Sequence, residues 1–158
     1  MAKGMIREFL QGHRIKHPLH PFMVHLPVGL WIGSLVFDIA YISTSTVGFA
    51  IAAYYSMMLG LVSILLAVPT GIAEYVSIQV NTRQRRLATA HMTLNIFVSL
   101  MYLLNVLSRR AMESGPPSMV TGGQFVLSVV CIMLLGISRL HRRLADLSIW
   151  HRFPWAGA

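Results

Sequence analysis

The chain has 158 residues, of which 55% are hydrophobic and only 11% charged, and its mean hydropathy is +0.63. A soluble domain carries about 25% charged residues, so these proportions exclude an ordinary water-soluble fold and point to helices that cross a membrane. The formal net charge of +8 would suggest nucleic acid in a soluble protein, but here the basic residues flank apolar runs and no nucleic-acid motif accompanies them, so they read as orientation signals and contacts to anionic lipid.

The first 21 residues are polar and basic, with Lys3, Arg7, Arg14 and Lys16. They end in His17-Pro18-Leu19-His20-Pro21, where each proline restricts the residue before it. A short interfacial segment is predicted there, followed by an extended approach to the membrane. The first span is predicted over 22–42. It is long, contains Asp38 and lacks an A-x-A-like exit, so it does not read as a cleaved signal peptide. An uncharged turn at 43–48 leads to a second span over 49–75, with a kink expected at Pro69. A basic loop at 81–86 precedes a third span over 87–107. The longest loop, 109–123, contains Gly115-Pro116-Pro117. A fourth span over 124–140 carries Cys131, the single cysteine, read as a small buried hydrophobe. Residues 141–158 form a basic and aromatic tail, expected to be amphipathic and interfacial, with Trp150 and Trp155 suited to the headgroup region.

The predicted fold is therefore all-α: an integral membrane four-helix bundle over 22–140. Lysine and arginine set its orientation. Eleven of the 13 lie in the N-terminal segment, in the loop at 81–86 and from Arg139 onward; only Arg109 and Arg110 lie on the other side. The positive-inside rule places both termini in the cytoplasm.

Hydrophobicity cannot say which face of such a helix is buried, because lipid is as apolar as leucine. Small and polar residues can. In the second span Ser56, Gly60, Ser63, Ala67, Thr70 and Glu74 recur at helical spacing, and in the third His91, Asn95, Ser99, Tyr102 and Asn105 do. In the first, His25, Gly29 and Gly33 share a side and are expected to face inward. With the topology above, His25, Glu74, His91 and Arg139 fall in one layer at the cytoplasmic end. His17 and His20 can fold in from the N-terminal segment. Asp38 lies about 20 Å further along the first span and faces nearly opposite to His25. It is expected to pair with the outer loop, or with Arg109 or Arg110, and is assigned no chemistry.

Ionisable groups at membrane depth mark functional sites. His25 and His91 on facing helices suit the two axial positions of a b-type haem, with Gly29 leaving room for the macrocycle and Glu74 and Asn95 supporting the ligands. The same layer offers a non-haem metal His20, His25, His91 and Glu74. No histidine falls in the outer half, so one haem is expected, with any electron path near the inner leaflet. A competing reading makes the layer a satisfied hydrogen-bond cluster that fixes helix register and binds nothing. His13, His141 and His151 sit among basic residues and read as surface groups. Catalytic motifs such as HExxH, GxSxG, the P-loop and GxGxxG are missing, so the chain does not read as an enzyme, and no inverted repeat suggests a transporter.

Three stretches resemble one family. His17-Pro-Leu-His-Pro-Phe-Met-Val-His-Leu-Pro-Val-Gly29, followed by Asp38, resembles the opening of Domain of Unknown Function 2231. Val68-Pro-Thr-Gly-Ile-Ala-Glu74-Tyr75 is similar to its second motif, commonly with Asp at the acidic position, and Ala90-His91-Met-Thr-Leu-Asn95 to its third. The tail departs from the Gly-Gly-rich ending and Tyr-x-His-Gly turn of many members. The resemblance implies a bacterial inner-membrane protein with four helices and implies no established activity. Two functional expectations follow: a cofactor-binding membrane protein engaged in electron transfer, or a cofactor-free accessory subunit of a larger membrane complex. Expected partners are membrane lipid and either such a complex or further copies of the chain, with no nucleic acid.

Overall fold

The computed structural model describes residues 19–150 apart from 113, 114 and 116, with side chains described except at 19, 21, 22 and 139–150. The N-terminal segment before Leu19, the side chain of Arg139 and the tail beyond Trp150 lie outside what is described. Four helices follow one another: α1 Leu19–Thr44, α2 Val47–Tyr75, α3 Arg83–Met112 and α4 Gly122–Trp150. Three apolar segments, Met23–Thr44, Val47–Tyr75 and Arg83–Met112, are long enough to cross a membrane; α4 contributes a shorter one, Gly122–Ser138, and then continues as helix. The protein is an all-α membrane bundle.

The extended approach expected through Pro21 is not observed. Helix α1 already begins at Leu19. Pro21 falls in the first turn, where the backbone N–H groups have no intrahelical acceptor, so its missing donor costs nothing there. Helix α2 contains Pro69 within one element.

Only Ser45 and Thr46 separate α1 from α2. Ser45 takes a positive φ of 55°, and the Ser43 and Thr44 hydroxyls donate to the carbonyls of Ile39 and Ala40 at 2.9 and 2.7 Å. So short a connection folds α2 back along α1 as an antiparallel pair, and these two helices make the most extensive contact in the bundle. Helix α3 packs on α4, and α2–α3 and α1–α4 contacts join the two pairs.

At the centre the Trp31 indole stacks on Tyr102, with ring centroids 4.3 Å apart and planes 13° from parallel. Its Nε1 donates to the Met57 carbonyl at 3.4 Å. Met57, Val98, Val106, Cys131 and Leu135 complete the core. Gly60 gives Trp31 its place: a Cβ there would run into the indole.

The inward faces of α2 and α3 are those the small and polar residues predict. Gly60, Ser63, Ala67 and Thr70 are buried, and so are Tyr102 and Asn105. Helix α1 is different. Val28, Trp31, Ser34 and Asp38 point inward, while His25 and Gly29 are exposed. Open space surrounds Gly29 and Gly33. The expected inward stripe His25-Gly29-Gly33 is thus corrected. His25 and Asp38 sit on nearly opposite sides of the helix, and the buried Asp38 decides which side faces in.

Candidate functional site

Two polar centres lie at opposite ends of the bundle. Asp38 is the hub of the first. Arg109 grips its carboxylate with two parallel bonds, Nη1 to Oδ1 at 2.9 Å and Nη2 to Oδ2 at 2.7 Å, and both side chains are fully buried. Arg109 Nε donates to Asn105 Oδ1 at 3.0 Å. The Asn105 amide donates in turn to the Gln124 carbonyl and to Ser128 Oγ, each at 3.0 Å. Three helices contribute, α1, α3 and α4. Because the two charges are paired and Asn105 carries the bonding on to α4, the network ties α1, α3 and α4 together.

The second centre is a cavity of about 690 Å³ between α1, α2 and α3. It begins about 27 Å from Asp38 along the helix axis, at His20. Its walls are mainly apolar, and His20, Glu74, Gln84, His91, Asn95 and Ser99 add polar groups.

His20, from the first turn of α1, sits against α2. Its Nδ1 lies 3.2 Å from the Ala67 carbonyl and 3.2 Å from Thr70 Oγ1. A carbonyl can only accept, so Nδ1 carries the proton and Nε2 keeps its lone pair in the neutral ring. Gly71 makes the approach possible, since a Cβ there would stand 2.7 Å from His20 Cε1. His91, on α3, is half-buried and hydrogen-bonded through Nδ1 to Ser138 Oγ of α4 at 2.9 Å. Asn95 lies against the His91 ring, its amide nitrogen 3.2 Å from Nδ1, 3.1 Å from Nε2 and 2.7 Å from the His91 carbonyl. Beside the lining residues Tyr75 and Ile78, Arg85 donates to both of their carbonyls at the end of α2 and lies 3.5 Å over the Tyr75 ring. A cation there complements the negative end of the helix dipole.

Of the residues singled out in the sequence, His20, Glu74, His91 and Asn95 line one cavity. His25 and Gly29 do not; both are on the exposed side of α1. Among the described residues no three histidine, cysteine or carboxylate side chains come together as a metal site. Sequence reasoning missed Gly71 and Ser138. Gly71 lies one residue off the α2 stripe. The signal for Ser138 was the spacing of Gln124, Ser128, Cys131, Leu135 and Ser138, all buried on one side of α4.

A family model described as "Predicted membrane protein (DUF2231)" matches residues 16–141. No curated protein and no solved structure matches the chain.

Proposed function

The chain belongs to that family of predicted membrane proteins, and we propose that it binds one b-type haem in the cavity between α1, α2 and α3, where His20 and His91 would hold it. The observation that carries this reading is that His20 and His91, from two different helices, line the same apolar cavity. Its volume, about 690 Å³, is in the range of cofactor pockets, roughly 300–1,000 Å³. The His20 tautomer supports ligation further: a ligating histidine ordinarily donates its other ring N–H to a carbonyl or carboxylate, and His20 does so to Ala67. Two protein ligands suffice for haem, whereas a non-haem metal at His20, His25, His91 and Glu74 would need groups that the bundle keeps apart.

When bound, the haem supplies one-electron chemistry. The chain's own residues do the rest. Ala67 and Thr70 fix the His20 ring, Ser138 holds His91 through Nδ1, the Asn95 amide beside Nε2 would turn aside to leave that nitrogen for the iron, and the apolar walls exclude water. The proposed setting is a bacterial inner membrane with both termini cytoplasmic, the orientation favoured by the excess of basic residues on the histidine side. The cavity then lies toward the inner leaflet, and a haem held there would exchange electrons on that side.

The test is a reduced-minus-oxidised spectrum of the protein, purified in mild detergent after haem-supplemented expression. A Soret band with a low-spin α band is expected. Absence of both sinks the reading, and a haem-free protein recovered only within a larger assembly would favour an accessory subunit instead. Gly71→Val, which pushes its side chain into the His20 ring, is expected to abolish the low-spin α band as His20→Ala does. An unchanged spectrum would contradict the placement of His20 against Gly71.

A further inference from the structure

The cavity has a second property that no haem ligand explains: it is open on one side to the surface that faces lipid. Val68 and Ile72 of α2 and Ile96, Leu100 and Leu103 of α3 line it, yet each is between 41% and 55% exposed. Their outer surfaces are continuous with the exposed apolar faces of both helices, which carry Leu65 and Leu66 on α2 and Leu104 and Leu107 on α3. The gap between α2 and α3 is therefore rimmed by lipid-facing side chains. Behind it the walls stay apolar as far as Leu61, Ile64 and Trp31.

We propose that this gap is a lateral portal to the bilayer and that the acyl chain of a membrane lipid occupies the cavity through it. Several observations favour that occupant. The helices on both sides of the gap are long and apolar enough to cross a membrane, so the rim sits in hydrocarbon. An apolar lining gains dispersion contacts from hydrocarbon packed against it, and acyl chains lie at the open rim. The polar groups suit the rest of the same molecule: Gln84 lines the cavity beside the α2–α3 loop, and Arg85 bonds the carbonyls of Tyr75 and Ile78, which line it too, so a lipid headgroup would lie near that cation.

Trp31 reports on the cavity directly. It lines the cavity but is only 2% exposed. With Trp150→Phe and Trp155→Phe introduced in the full chain, it is the sole tryptophan. The protein is reconstituted into vesicles of phosphatidylcholine, either plain or brominated on its acyl chains. Trp31 emission is expected to fall by about half or more in the brominated vesicles. Ala88→Phe, which fills the cavity from α3, is expected to restore most of it, and Ser99→Leu serves as a second plug should the first variant misfold. Native mass spectrometry is expected to show one retained lipid on the parent protein and none on a folded plugged variant. Quenching that is absent, or equally strong with the cavity plugged, would overturn the portal. The inference rests on the cavity and not on haem. Haem and an acyl chain would compete for the cavity, so the quenching and mass measurements use protein expressed without added haem. Haem-free protein that lacks plug-sensitive quenching sinks the portal alone, and protein that never shows a Soret band after haem-supplemented expression sinks the haem reading alone.

Discussion

Arg109→Leu is expected to destabilise the bundle by about 3–5 kcal/mol. The change strands the Asp38 carboxylate, which is fully buried and takes both of its close donors from Arg109. It also removes the donor to Asn105 Oδ1, so the loss spreads to the contacts between α3 and α4. The magnitude comes from the uncompensated charge and not from the net strength of the pair. Burying two ions nearly cancels their attraction. The double change Asp38→Leu with Arg109→Leu is therefore expected to recover much of the loss, because it leaves no charge behind. Unfolding curves in mixed detergent micelles give the comparison. A single variant within about 0.5 kcal/mol of the parent, the size of an ordinary surface substitution, would contradict the structural role of the pair.

Gly60→Ala is the second large effect, and its sign runs against helix propensity. Alanine is favoured over glycine in a helix interior by about 1 kcal/mol, so at an open position this change stabilises. At Gly60 the new Cβ meets the Trp31 indole. The ring cannot retreat, because its other face stacks on Tyr102 at 4.3 Å and its Nε1 donates to Met57. Overpacking of a close-packed core costs about 1–3 kcal/mol and sometimes more, which outweighs the gain. Net destabilisation is expected, with partial recovery when Trp31→Phe supplies a smaller ring. The same substitution at Gly29, where nothing lies within 4 Å of the added atom, is expected to be neutral or stabilising. Equal effects at the two glycines would contradict the packing described.

These two glycines also show what the sequence could reveal. Small residues at helical spacing correctly marked the inner faces of α2 and α3, because close packing in lipid depends on them. On α1 the same rule selected Gly29 and Gly33, which face outward. Trp31, a large residue, sits on the inner side, and the space it needs is provided by Gly60 on the neighbouring helix. A rule applied to one helix at a time has no access to that complementarity. The better signal was electrostatic. Asp38 is the only acidic residue in its span, and Arg109 was one of two cations available at that end. Had that pair been allowed to set the rotation of α1, it would have turned His25 outward and left His20, five residues earlier, to reach α2. Glu74, His91 and Asn95 were legible as cavity residues because the topology fixes their level and the stripes fix their direction. Gly71 was not, since its role depends on a ring from another helix.

His20, and not His25, shares with His91 the cavity proposed to hold haem. The most direct measurement compares three single variants, His20→Ala, His25→Ala and His91→Ala, by haem content and by reduced-minus-oxidised spectrum after identical haem-supplemented expression. The proposal predicts that His20→Ala and His91→Ala each lose the low-spin α band and most of the haem, while His25→Ala keeps the parent spectrum. Loss of the band in His25→Ala with His20→Ala unaffected would contradict it.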